Sequence, residues 1–310
     1  MHIRTYLSFL EKRMEKTEKH YDVIFAGNYT KDTIITPAIT RQVDGGGMNY
    51  AAHAGKALGL RGAVVTRLAK EDEHVVQMLR ADGIDCYPIY SPSSTLMTLE
   101  YKTLDVDKRD LYVTHTAGTI HPEHLEGLTA RAIAVSPSIR GEVEPAFFHA
   151  MRSREGVLLA ADVQGFVRVL RGQDLVYEPW DEMREVLSDL DILKSDAMEA
   201  KYLTGETDIE KAAAFYVQQG AKEILLTHAT GVLVHADGQN HHYEFHSKSM
   251  DGRSGRGDTC LGSYVSARLS LPPREAGKYA AAVTSMKVEK LGIFNRTLAE
   301  VEDFIAKYYA

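Results

Sequence analysis

The chain predicts an α/β fold: a three-layer α/β/α body around a mostly parallel central sheet, carrying a small antiparallel β lid. Two observations carry this expectation. Short apolar runs alternate with stretches of helical period along most of the 310 residues, as they do where parallel strands are joined by crossover helices. Two stretches, 33–43 and 94–114, break that rhythm. They are rich in Thr, Ile, Leu, Val and Tyr, and Leu96 to Tyr101 alternates with period two, the pattern of a sheet with one wet face.

In chain order, Val23-Ile24-Phe25-Ala26 closes a first buried strand over 22–26, and Ala63-Val64-Val65 lies in a second over 62–68. Further apolar runs mark strands over 131–135, 156–161, 190–193 and 223–226. The helical period places helices over 49–58, 73–81, 182–187, 197–203, 209–219, 259–269, 274–287 and 298–308. Residues 1–310 read as one domain, since no linker, repeat or low-complexity segment interrupts them. The lid is formed by about 32–45 and 94–114. The first 20 residues read as an extra amphipathic helix or a loose arm.

Bulk properties narrow the function. A chain of this length buries about three quarters of its unfolded surface on folding. A net charge of −7 argues against general binding to nucleic acid or membrane surfaces, which rewards a basic face. It also means that a polyphosphate ligand needs locally placed cations. Cys86 and Cys260 are too few for a disulfide framework, so a cytoplasmic location is expected. No apolar run approaches the roughly 20 residues that span a bilayer.

The most telling stretch is Gly255-Arg256-Gly257-Asp258-Thr259, directly before a helical run. Glycines let a ligand approach the main chain, and a helix start offers unpaired N–H groups with partial positive charge. Together they form an anion pocket with a carboxylate at its rim. Phosphoryl transfer to a hydroxyl needs both. A second glycine-rich stretch, Gly45-Gly46-Gly47-Met48-Asn49-Tyr50-Ala51, runs through an alanine-rich helix to Leu58-Gly59.

These two stretches resemble the N-terminal and C-terminal signatures of the ribokinase-like (PfkB-type) carbohydrate kinases, in the expected order, over roughly residues 21–292. The resemblance implies a ribokinase-like fold and gives each landmark a role. Asp258 is the base that takes the acceptor's proton, and Gly255, Arg256 and Gly257 build the anion hole with it. An N-cap is the alternative for Asp258, and the helix start is expected to keep its carboxylate ionised. Arg256 departs from the small residue usual there; it meets a phosphate or acidic substrate, pairs with Asp251, or faces solvent. Asp32, Asn49 and the backbone of Gly46 form the acceptor-binding face, with a turn residue and a helix cap as the plainer readings. Asp162, Gln164 and Arg168 are similar to an Asp-x-Asn-x-x-Arg region lining the acceptor pocket, although Gln164 replaces asparagine and the arginine is displaced by one position. Asp196 and Glu199 resemble an Asn-x-x-Glu motif that places magnesium and phosphate, Glu199 through water; a capped first turn is the alternative. Thr227 and Gly231 resemble a nucleotide loop, with Ala229 in place of its first glycine and Gly231 one residue early.

The histidines His241, His242 and His246 lack the paired spacing of a zinc site and read as an exposed strand. Trp180 and Tyr177 read as packing residues. The reading as a whole is a magnesium-requiring, ATP-dependent kinase of a sugar, an inositol-like polyol or a keto-sugar acid. A nucleoside kinase of the same fold, or a catalytically silent sugar-binding relative, is the alternative. A dehydrogenase is excluded because no Gly-x-Gly-x-x-Gly follows the first strand. The lid's edge is a place for a second copy to pair.

Overall fold

The computed structural model describes residues 18–103 and 110–310. Of the first 20 residues, where an added helix or arm was expected, 17 lie outside them, as do residues 104–109 of the second lid stretch, while Lys19 and His20 open the first strand instead. The chain enters β1 (Lys19–Ala26) and crosses to the small sheet for β2 (Thr30–Ile35) and β3 (Thr40–Asp44). It returns through α1 (Gly47–Ala57), β4 (Gly62–Ala69), α2 (Glu73–Ala81) and β5 (Asp85–Ser91). The small sheet is revisited by β6 (Thr95–Glu100) and β7 (Asp110–His115), followed by β8 (Leu128–Val135), α3 (Pro145–Arg152) and β9 (Leu158–Asp162). One turn of helix, α4 (Gln164–Val167), leads to β10 (Arg168–Arg171) and β11 (Asp174–Tyr177). The body continues as α5 (Met183–Asp189), β12 (Ile192–Asp196), α6 (Ala197–Thr204), α7 (Ile209–Gln218), β13 (Glu223–Thr227), β14 (Gly231–Ala236) and β15 (Gln239–Glu244). Three helices close the chain, α8 (Arg256–Arg268), α9 (Pro273–Lys287) and α10 (Leu298–Tyr308).

The large sheet has nine strands in the order β15-β14-β13-β12-β9-β8-β1-β4-β5. It is parallel from β13 to β5, and β14 and β15 extend it as an antiparallel edge. Successive residues of a strand divide between two cores. Ile24 and Ala26 belong to one and Val23 and Phe25 to the other. The same division holds for Ile133 against Ala132 and for Leu193 against Ile192. Both faces are therefore covered, which is why these strands read as continuous apolar runs.

The small sheet differs from the expectation in two ways. It has six strands, in the order β10-β11-β7-β6-β2-β3, and β2 pairs with β6 in parallel, so it is mostly rather than wholly antiparallel. The hairpin β10–β11 was not expected there. Its four-residue strands carry Arg168, Arg171 and Asp174 at their ends and give little periodic signal. The strand β5, the helix α3 and the strand β14 were also not expected. Trp180 stacks on Phe166 in the core, centroids 4.3 Å apart. His242 meets Glu210 at the surface, and no cluster of His, Cys, Asp or Glu among the described residues suits a metal ion. No described helix is long and apolar enough to cross a membrane.

Candidate active site

The C-terminal ends of the parallel strands deliver the candidate residues to one edge of the large sheet, where ligands of open α/β sheets bind. From β1 the chain runs into Asn28, from β8 into Ser136, and from β13 into Thr227–Gly231; Asp162 and Asp196 are the last residues of β9 and β12. Helix α8 starts above this edge. Gly255 caps it with φ 74°, a left-handed conformation suited to glycine. The helix begins at Arg256, three residues earlier than its apolar period suggests, so Gly257 and Asp258 lie within its first turn.

Close approaches locate the carboxylate. A Cβ on Gly47 would fall 2.2 Å from Asp258 Oδ1 and 2.6 Å from Ser136 Cβ. The two glycine signatures, some two hundred residues apart, therefore touch through the aspartate. Gln164 donates from Nε2 to Asp258 Oδ1 at 3.3 Å. Beneath the first turn of α8, a Cβ on Gly257 would fall 2.6 Å from Lys194 Nζ. Lys194 is buried and pairs with buried Asp162 at 2.9 Å. A second ion pair, Arg168 with Glu199 at 3.3 Å, is also largely shut off from solvent.

These charges set the chemistry. Burial, reinforced by the charge of Asp162, raises the Asp258 carboxyl to about 6, against the opposing pull of Lys194, Arg168 and its own N–H. The helix start therefore does not leave an ordinary acidic carboxylate, as the position alone suggests; burial and Asp162 outweigh it. Burial also lowers the affinity of Lys194 and Arg168 for protons, but the carboxylates around each outweigh it and both stay cationic. Glu199 is raised to about 7 by burial and by Asp196.

Of the residues expected to face the acceptor, Asp32 and Asn49 come from β2 and α1. Asp32 lies against the Gly45–Gly46 turn, since a Cβ on Gly45 would meet its Oδ2 at 2.3 Å. Asn49 is buried in the first turn of α1, and its Oδ1 has no hydrogen-bond partner among the described residues. Ser136 Oγ, beside Gly47, is likewise buried without a partner. Orphaned buried polar atoms of this kind call for a ligand or ordered water.

Other candidates are placed differently. Arg168, expected to face the acceptor, is committed to Glu199. Asp196 and Glu199 form a reciprocal capping box on α6, the plainer of their two readings. Both Glu199 oxygens are engaged, one by Arg168 and one by the N–H of Asp196. The Glu199 side chain is wholly buried, so of the two only Asp196, half-buried at the strand end, has a face open to a hydrated cation. Gly231 opens β14, where a Cβ would fall 2.3 Å from the Tyr243 carbonyl oxygen, so strand packing already requires glycine there. Thr227 ends β13 opposite Asp196 in register. Arg256 lies near the turn after β13, near enough to His228 for its charge, after burial and His242, to help depress that imidazole.

Lys194 was not anticipated from sequence. A signal existed: a lysine inside the apolar run Ile192-Leu193-Lys194 must find a carboxylate if that strand is buried. Tyr50 was also missed; its ring lies against Gly255, where a Cβ would meet Cγ at 2.3 Å.

No family model matches the chain, and no curated protein does. Among solved structures it is similar to a pyrophosphate-dependent kinase in the ribokinase family, determined as a sulfate complex. That similarity has 32% identity and a TM-score of 0.84, over 90% of this chain and 99% of the other. It is also similar to a pyrophosphate-dependent kinase of that family complexed with a pyrophosphate analogue and myo-inositol, at 31% identity and TM-score 0.84, over 91% and 99%. The Arabidopsis thaliana ribokinase complexed with ribose and ATP shares the fold at 17% identity, with TM-score 0.75 over 93% and 99%. Identity above 30% along nearly the whole of both chains, with both glycine signatures meeting at Asp258, shows that the protein belongs to the ribokinase family, and it is a kinase: a phosphotransferase with an alcohol group as acceptor.

Proposed function

We propose that the protein phosphorylates a hydroxyl of a cyclic polyol of the inositol class, with pyrophosphate as donor. The observation that carries the reaction type is the contact of Asp258 with Gly47, which sets one carboxylate between the anion cradle and the acceptor face. In this reading Asp258 takes the acceptor proton as the hydroxyl oxygen bonds to the terminal phosphorus. The bridging P–O bond breaks and orthophosphate leaves. A carboxyl titrating near 6 is a better base at neutral pH than an ordinary aspartate and is still mostly ionised. The N–H groups of Gly255, Gly257 and Asp258 stabilise charge on the transferred oxygens, while that of Arg256 donates to the Arg253 carbonyl at 3.2 Å. Asp32 and the orphaned oxygens of Asn49 and Ser136 hold the acceptor's other hydroxyls. Magnesium, held through water by Asp196 with Glu199 buried behind it, would neutralise charge on the donor. The small sheet acts as the lid that excludes water.

Two things support pyrophosphate over a nucleotide. The two kinases reported above at more than 30% identity are pyrophosphate-dependent. The nucleotide-loop resemblance is also incomplete, with Ala229 in the first glycine's place and Gly231 needed by the sheet, while Arg256 brings an added cation. ATP is the second reading, favoured by the Thr227–Gly231 turn at the end of β13. Phosphorus NMR of the protein with each donor, magnesium and a panel of myo-inositol, ribose, fructose and adenosine tests this. The expected result is a phosphomonoester of myo-inositol and one orthophosphate from pyrophosphate. Transfer only from ATP, or only to ribose or adenosine, would overturn the reading.

A further inference from the structure

The anion cradle is delivered by residues 245–255, which belong to no helix or strand. Their path is set by the end of α9. The N–H of Gly252 donates to the Val288 carbonyl at 2.8 Å, and the N–H of Lys248 to the Glu289 carboxylate at 3.0 Å. A Cβ on Gly252 would fall 1.7 Å from the Lys290 carbonyl oxygen, so the segment lies hard against that turn. Into the same place reaches Lys287, the last residue of α9, only 2% exposed. Its ammonium donates to the carbonyl oxygens of Gly252 and Ser254 and lies 5.0 Å from the centroid of the Tyr50 ring that covers Gly255. Its hydrogen-bond partners among the described residues are carbonyls, with no carboxylate among them. Burying an ammonium on carbonyls alone is costly, and burial indeed lowers this amine to about 8, partly offset by Asp258. Nothing in the reaction as described uses it.

We propose that Lys287 is a positioning residue: its ammonium is a tethered cation that clasps two carbonyls of the approach segment and so aims the N–H groups of the cradle at the donor anion. The peptide plane gives the reason. The Ser254 carbonyl and the Gly255 N–H belong to one rigid trans unit and point in opposite directions. Turning that carbonyl onto Lys287 turns the Gly255 N–H away from it, just before α8 begins at Arg256, whose own N–H donates to the Arg253 carbonyl. The Gly252 carbonyl does the same for the N–H of Arg253. Lys287 touches no reacting atom; it acts through the backbone. The clasp rests on the reading above for the identity of the anion, not for its own geometry.

The test compares the full-length protein with Lys287→Ala and Lys287→Met. Binding of pyrophosphate, sulfate and ATP is titrated by calorimetry, in sodium chloride and in ammonium or methylammonium chloride of equal ionic strength. Wild type should bind alike in all three salts. Lys287→Ala should lose about tenfold or more in affinity in sodium and regain it saturably with the small ammonium ions, since the cavity then admits a free cation. Lys287→Met, which fills the cavity without charge, should lose affinity and not regain it. Unchanged binding in Lys287→Ala, a loss that no added cation restores, or failure of both variants to fold would overturn the clasp. The same rescue seen with sulfate or ATP but no binding of pyrophosphate to wild type would leave the clasp standing and remove the donor reading. A wild type that binds none of the three anions would remove both.

Discussion

A carboxylate in the first turn of a helix ordinarily gains from the helix dipole and stays acidic. Asp258 does not, because burial and the neighbouring Asp162 raise it to about 6 despite Lys194 and Arg168. In the proposed reaction the consequence is a pH-dependent base. Below about 6 the carboxyl is protonated and has no proton acceptor to offer; above it, the carboxylate is free to work. The ratio kcat/KM should therefore climb as pH rises through about 6 and level off above it. Asp258→Asn should cut kcat by about 10²-fold or more, abolish that limb, and leave donor binding nearly intact. Steady-state rates from pH 5 to 8 with donor titrations read all three effects. Retained turnover, or a limb surviving in the variant, would remove Asp258 from the role of base.

Between elements, strand register does what no single residue can. Lys194 of β12 and Asp162 of β9 are paired neighbours in the parallel sheet, so their side chains share a face beneath α8. The ammonium then lies where a Cβ on Gly257 would intrude, which ties the sheet to the first turn of α8. Lys194→Met is expected to leave Asp162 buried without its partner, costing about 3–5 kcal/mol of stability. It should also move the acid limb of kcat/KM to higher pH, because Lys194 is one of the charges holding Asp258 down. Denaturant melts and the pH–rate profile measure the two effects. A variant as stable as wild type with an unmoved limb would show the pair to be incidental.

At the scale of the whole molecule, Glu142, Glu199 and Asp258 are buried acids raised by burial, so their ionisation opposes folding. Glu142, buried between the end of β8 and α3, accepts the Ser138 N–H at 2.7 Å and is raised from 4.5 to about 7, chiefly by burial. Its sign is that of a folded-state pKa above the unfolded one. The contribution is fully present below about 4.5, and it is lost as pH rises toward 7, because only the unfolded chain ionises in that window. The total is on the order of 3 kcal/mol. Glu142→Gln, neutral throughout, should match wild type near pH 4.5 and melt at a higher temperature near pH 8. Thermal melts across that range decide it, and a variant that parallels wild type at every pH would contradict the assignment.

Much of the body was legible because apolar runs buried on both faces leave a strong local signal. The strands at 22–26, 62–68 and 223–226 and the helices of the second half fall within a few residues of the observed elements. The hairpin β10–β11 was not legible, since its short charged strands are held by pairing with each other and with β7. The two glycine signatures were visible as motifs, but their contact through Asp258 was not.

By itself, the order of residues determined the alternation of strand and helix and supplied the two glycine-rich turns, because backbone freedom and apolar periodicity are local properties. Only the tertiary structure decided that Lys194 neutralises Asp162, that Arg168 turns to Glu199, and that Asp258 loses the acidity its helix position implies. Charges act through space, and the distances that set their strength are made by packing between segments far apart in the chain.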